Sequence, residues 1–325
     1  MPQPEPPTLL RGYNVVSLAP NLPGPIAARR LADMGAFVTK VEGPNGDLLA
    51  HAAPEYYEWL RDRQQIVQLN LKEEPGQEKL HELLSDCDVL ITSSRPAALA
   101  RLGLSWDELN EAYPQLCQVA IVGHSGQDAN LAGHDLTYQA HAGTLVPPAM
   151  PAVPVADLAG AEMAVQAALA LLLDRDGARH NEVSRQAWKG GTNGGYHEVA
   201  LADAAEAFGM PAQYGLTVQG GPLGGATPAY KIYEAAPVGG TESGAESGMA
   251  SGVESRATRS FVAFAALEPH FLNRAVELLG VDGNEEQFAE AFKAKTAAQW
   301  EEWGTDNDVP IAEVRVAGQD ELRDQ

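Results

Sequence analysis

Cysteine is nearly absent: Cys87 and Cys117 are the two thiols of a 325-residue chain. Two cysteines build no disulfide framework, and no Cys/His spacing of a metal site is present, so no metal is expected. Cys87 precedes the apolar run "DVLI" and Cys117 sits in "LCQVAIVG". Both read as buried thiols of a reducing compartment. Positive charge is scarce as well, with 22 Lys and Arg against 44 Asp and Glu and a formal net charge of -22. Nucleic acid and anionic membranes need a basic face, so neither is expected as a partner. Any anionic ligand must be held by local donors. No uninterrupted apolar run approaches the roughly 18 residues of a membrane span. The start, "MPQPEPPTLLRG", lacks the basic and apolar regions of a signal peptide. A soluble cytoplasmic protein is the expectation.

What the chain does have is alternation. "YNVVSLA" (13–19) reads as a strand, "NLPGPIAARRLADMGA" (21–36) as a helix opened by Pro and closed by Gly35, and "FVTKVEG" (37–43) as a second strand. Strands follow at 66–71, 88–93 and 117–123, with helices at 74–86 and 106–113. This order predicts a doubly wound α/β domain, whose ligands bind at the carboxyl ends of its strands. "ADLAGAEMAVQAALALLLDRDG" (156–177) is a long helix apolar on all sides, suited to a central or interface position. Residues 181–196 read as an exposed loop and 197–210 as another helix. The Gly/Ser/Glu stretch 239–257 reads as an insertion at the tip of a hairpin formed by 229–235 and 260–267. Helices at 268–280 and 285–304 and one strand complete the chain. Trp300 and Trp303 are read as packing residues of that last helix.

The motifs with chemical potential are few. "AGHDLTYQAHAG" (132–143) sets His134 beside Asp135. In an extended strand the two would point to opposite faces. A histidine suits proton transfer near neutral pH, and a carboxylate can attack an activated acyl group. The structural alternative is a strand-edge His and an Asp capping a turn. Asp157 stands at the start of the long apolar helix, where orphan amides stabilise a carboxylate as a cap or hold it ready for a ligand. Glu268 precedes Pro269 at a helix entry. "GGPLGGATPAY" (220–230) allows close backbone approach but lacks the Lys-Ser/Thr ending of a phosphate loop. No GxGxxG follows the first strand, and Ser125 lacks a full G-x-S-x-G, so dinucleotide and hydrolase readings have no support. His124 reads as a loop residue.

The chain resembles the class III coenzyme A transferase family, the CaiB/BaiF type that includes the α-methylacyl-CoA racemases. The resemblance rests on "VVSLAPNLPGPIAARRLADMGAFVTKVEGPNGD", "SSRPAALARLGLSWDEL", "AGHDLTY", "VPVADLAG" and "AALEPHF", which occur in the family's order. It implies an α/β fold with a Rossmann-like large domain, a smaller α+β domain and an interlocked dimer. The expected boundaries are 1–194 for the large domain, with 301–325 returning to it, and 195–300 for the small one. It implies an acyl-CoA substrate, no tightly bound cofactor and a homodimer. Pro23, Gly24, Arg95, Arg101, Gly224 and Gly225 would bind or shield the coenzyme A ester. In the racemases, His134 supported by Glu268 would exchange a proton on one face of the α-carbon and Asp157 on the other. In the transferases, Asp135 would attack the thioester and form a mixed anhydride. His134, Asp157 and Glu268 occurring together favours epimerisation of a 2-methylacyl-CoA, and Asp135 keeps CoA transfer open. The chain departs from the family's pattern at Gly43, at 62–65 and at Ser93-Ser94, where cationic or Asn-Phe contacts are usual. These departures leave a third reading, a non-catalytic paralogue or partner subunit.

Overall fold

The computed structural model describes residues 8–180, 193–238 and 258–316. The expected loop at 181–192, the insertion at 239–257 and the end of the chain from 317 lie outside the described residues. The chain divides into two units, Met1–Met210 and Pro211–Gln325.

In the first unit the elements run β1 (Asn14–Ser17), α1 (Pro23–Asp33), β2 (Phe37–Glu42), α2 (Leu49–Ala52), α3 (Pro54–Arg61), β3 (Gln64–Gln68), α4 (Glu74–Ser85) and β4 (Val89–Thr92). Then come α5 (Pro96–Ala100), α6 (Trp106–Ala112), β5 (Cys117–Val122), α7 (Asp135–Ala142), α8 (Val155–His180), β6 (Tyr196–Ala200) and α9 (Leu201–Gln213), which crosses the boundary. All six strands pair in parallel, in the order β3-β2-β1-β4-β5-β6. A parallel sheet needs cover on both faces, and alternate residues of each strand supply it. Val89 and Ile91 of β4 join one core with Ile26 and Leu31 of α1 and Ala164 and Ala168 of α8. Leu90 between them joins the opposite core with Leu80 and Leu84 of α4, Leu99 of α5 and Leu109 of α6. The doubly wound expectation for this region holds.

Small residues make α8 a packing element. Ala161, Ala164 and Ala168 are fully buried, as are Ala27 and Ala28 of α1, against which α8 packs. Its far end is tied down by Arg175, buried and 2.9 Å from an Asp88 carboxylate oxygen. Val155–Gly177 has the length and apolarity to cross a bilayer, and half of that window is buried here against the protein itself.

Three sequence expectations are corrected. Residues 197–210 are not one helix: Tyr196–Ala200 pairs with β5 in the register Gln118↔Tyr196 to Val122↔Ala200, and the helix starts only at Leu201. The first unit therefore runs past 194. The second correction concerns the return of 301–325 to the large domain. In the described part of that segment, β9 (Ile311–Glu313) pairs antiparallel with β8 (Thr258–Ala265), itself paired with β7 (Tyr230–Val238). Trp300, Val309 and Ile311 are buried in the second unit's own core with Phe264, Phe288 and Phe292. Third, after α10 (Pro269–Leu279), the single helix expected at 285–304 is two, α11 (Glu285–Phe292) and α12 (Ala297–Asn307). Thr296 breaks it: its hydroxyl accepts from the Gln299 N–H, and the Gln299 side chain accepts from the Thr296 N–H at 3.0 Å. That reciprocal cap starts a new helix.

Candidate active site

Strand order reverses between β1 and β4. The chain winds outward from β1 through β2 to β3, then returns and winds the other way through β4, β5 and β6. Ligands of such sheets bind beyond the carboxyl ends of the strands at this reversal. A cavity of about 240 Å³ occupies that place. Pro20, Asn21 and Pro23 line it after β1, Ser93, Ser94 and Arg95 after β4, and Gly123 after β5. Gly133, His134, Tyr138, Asp157 and Leu201 also stand on its wall.

His134 and Asp135 are not in a strand, which corrects the opposite-faces expectation. His134 is the extended N-cap residue of α7 (φ -143°, ψ 164°), and Asp135 is the first helical residue. The His134 N–H donates to Thr137 Oγ1 at 3.1 Å, and that hydroxyl donates back to the His134 carbonyl at 2.7 Å. This exchange fixes the turn and presents the imidazole, which is exposed and lines the cavity.

Asp135 is engaged through both carboxylate oxygens. One accepts from the main-chain N–H of Asp157 at 3.1 Å. The other accepts from Gln139 Nε2 at 2.7 Å. Gln139 is buried, and its Nε2 also donates to the Val153 carbonyl at 3.1 Å. Asp135 thus caps the first turn of α8 from a distance, with its charge on the positive end of the helix.

Asp157 sits in that first turn and lines the cavity. Its carboxyl is pushed up to about 6, first by burial and then by the Asp135 charge, with His134 pulling the other way. Withdrawal from water and a like charge both disfavour the ionised form. An imidazole and a carboxyl raised well above the ordinary carboxylate range therefore share one small cavity, a composition suited to proton exchange.

The other expected residues are distributed as follows. Arg95 is exposed on the cavity wall, at the N-cap of α5, and is the one Lys or Arg on that wall among the described residues. Arg101 is exposed at the end of α5, off the cavity wall. Pro23 lines the cavity, whereas Gly24 is needed for packing: a Cβ there would fall 2.1 Å from Ala19 Cβ. Glu268, Gly224 and Gly225 belong to the second unit. Glu268 is the exposed N-cap residue of α10. Gly224 and Gly225 line a cavity of about 500 Å³ with Tyr230, Ile232 and Phe264, and Gly224 packs against the Val218 carbonyl in a tight turn.

Among the wall residues not singled out from the sequence as functional are two hydroxyl carriers, Ser93 and Tyr138. Ser93 Oγ is buried with no partner. Tyr138 lies inside the "GHDLTY" motif, but only the fold brings its ring against the cavity. Glu42, at the end of β2, occupies the place of the acid that holds a dinucleotide ribose in related folds. Here it is buried and committed, 2.9 Å from Lys40 Nζ and accepting from the Tyr57 hydroxyl at 2.6 Å. Among the described residues no group of three or more His, Cys, Asp or Glu could hold a metal.

Comparison with known proteins places the fold and the family. The fold resembles that of a CaiB/BaiF family protein from Brucella suis, with a TM-score of 0.70 at 21% identity, over 96% of this chain and 85% of the other. In sequence the chain is 37% identical over 142 residues to the cinnamoyl-CoA:phenyllactate CoA-transferase of Clostridium sporogenes, covering 40% of this chain and 34% of that protein. It is 28% identical over 183 residues to the human succinyl-CoA:glutarate CoA-transferase, covering 51% of this chain and 42% of that protein. The chain thus spans about a third to a half of the length of the curated relatives it matches. The profile of CoA-transferase family III matches residues 10–188, more than half of the chain and the whole span that builds the cavity except Leu201. The chain belongs to CoA-transferase family III, an enzyme family acting on CoA thioesters.

Proposed function

We propose that the protein epimerises a 2-methylacyl-CoA or a similar thioester by removing and returning the α-proton. One observation carries the reading. His134 and Asp157 line the same small cavity, and burial pushes the Asp157 carboxyl up to about 6, while Asp135 caps the start of α8. One of the pair takes the α-proton and the other returns a proton to the opposite face, so nothing is gained or lost overall. The electron pair from the C–H bond rests on the thioester oxygen in between. Arg95 supplies positive charge at the cavity mouth for an anionic ester.

The test is a single epimer of 2-methylbutanoyl-CoA, followed by chiral separation of the hydrolysed acid. Loss of enantiomeric excess with wild type, and its retention with His134→Ala and with Asp157→Asn, supports the reading. Retention with wild type counts against it.

The family relatives favour a second chemistry, because the matched proteins are named CoA-transferases. In that reading an Asp135 oxygen attacks the thioester carbon and CoA thiolate departs, leaving an acyl anhydride on Asp135. The thiolate then attacks the aspartyl carbonyl and the acyl group leaves as its carboxylate. Intact-protein mass after incubation with acyl-CoA decides: a CoA-sized adduct absent from Asp135→Ala supports transfer. Neither epimerisation nor an adduct would leave the non-catalytic reading.

A homodimer goes with either chemistry. Val146, Met150 and Val153, in the segment that receives the Gln139 hydrogen bond, are exposed apolar residues that a second copy would cover. Sedimentation velocity reads the oligomeric state directly.

A further inference from the structure

We propose that the Tyr138 hydroxyl is the hydrogen-bond donor to the thioester carbonyl oxygen, a further catalytic residue of this cavity. The proposal rests on the acyl-CoA reading above but not on which of its two chemistries operates. In α-proton abstraction the carbonyl oxygen becomes an enolate oxygen. In attack by Asp135 it becomes the oxyanion of a tetrahedral adduct. Either way the same atom gains a full negative charge and gives it up again, and an O–H beside it lowers the barrier.

Four observations converge on Tyr138. It is 2% exposed, yet it belongs to the cavity wall with His134 and Asp157. No hydrogen bond within the described residues engages its hydroxyl, which leaves that group free to donate into the cavity. Two glycines from separate segments, both on the cavity wall, close on that hydroxyl. A Cβ at Gly123 would fall 2.3 Å from Tyr138 Oη, and one at Gly133 would fall 2.4 Å from it. No side chain can therefore stand between the phenol and the backbone on these two sides. Finally, the His124 ring meets the Tyr138 ring edge-on with centroids 5.4 Å apart, which restricts the ring.

The electrostatics suit a donor. Burial and the Asp157 charge push the phenol up from its ordinary value, against the opposite pull of Arg95. The group stays protonated at neutral pH and senses both charged residues of the wall.

Tyr138→Phe removes one oxygen and keeps the ring, so it separates a donor from a packing residue. The first readout is the carbonyl stretch of carbonyl-¹³C 2-methylbutanoyl-CoA bound to the protein, by difference infrared spectroscopy. The band is expected at lower wavenumber on wild type than in water, and the Phe variant should return it toward the free position. The second readout is turnover, where loss of one oxyanion donor costs on the order of 100-fold or more in kcat, with KM changed far less. An unchanged band and a kcat within about threefold of wild type, beside an inactive His134→Ala, overturns the Tyr138 proposal alone. A shifted band that Phe abolishes, in a protein whose His134, Asp135 and Asp157 variants all keep wild-type activity, supports Tyr138 and sinks the site reading instead. No thioester binding by wild type overturns both.

Discussion

The main-chain N–H of Asp157 donates to a carboxylate oxygen of Asp135 across 3.1 Å. One carboxylate is thereby spent holding the start of α8, and the other is left in the cavity beside it. Because the cap is a charged acceptor on a 26-residue helix, Asp135→Ala should destabilise the fold by about 1–2 kcal/mol. Urea unfolding checks this. Asp135→Asn keeps an acceptor and should recover much of the loss.

Asp157 carries the opposite sign. Its carboxyl is raised from 3.8 to about 6 in the folded chain. Between those values the native state holds a proton that the unfolded state has released, so stability falls as pH rises through the window. Above about pH 6 the cost is complete. Allowing for partial exposure, it amounts to about 1–2 kcal/mol. Asp157→Asn should therefore raise the unfolding free energy at pH 7 and leave it unchanged at pH 4.

The same group gives a pH profile for turnover. With wild type, activity should break near pH 6, and Asp157→Asn should remove that break along with most of the activity. A break that survives the substitution would assign it to another group.

The glycine contacts around Tyr138 make a paired prediction. At Gly123 an added Cβ meets the hydroxyl at 2.3 Å and the ring only at 3.4 Å. At Gly133 it meets the ring as well, with Cε1 at 2.5 Å. Each alanine substitution should cost about 1–3 kcal/mol through forced displacement. Adding Tyr138→Phe should restore much of the loss for Gly123→Ala and little for Gly133→Ala. Thermal unfolding of the two double variants reads the difference.

How far the sequence carried the description depends on what each segment needed. β1, α1 and β2 were legible because a short apolar run, a Pro-opened helix and a Gly stop all point the same way. β6 was not, because "YHEVA" runs straight into the Ala-rich α9 and only pairing with β5 makes it a strand. The break at Thr296 was present as a Thr-x-x-Gln signature and was overridden by the apolar periodicity around it. α7 is short, with Gly143 in the left-handed region at its end, and its few apolar residues hide the helix that turns His134 into a cap. His134 and Asp157 stood out because chemistry-bearing side chains in small-residue surroundings are conspicuous. Tyr138 did not, since its importance lies in two glycines that are remote from each other in sequence and adjacent only when folded.

Movement of an α-proton in this cavity can be read as deuterium uptake, with 2-methylbutanoyl-CoA incubated with the protein in heavy water and the thioester mass followed over time. Wild type should add one deuteron at the α-carbon, and His134→Ala and Asp157→Asn should add none. A thioester that stays unlabelled with wild type, or labelling that persists in both variants, would contradict α-proton movement by this pair.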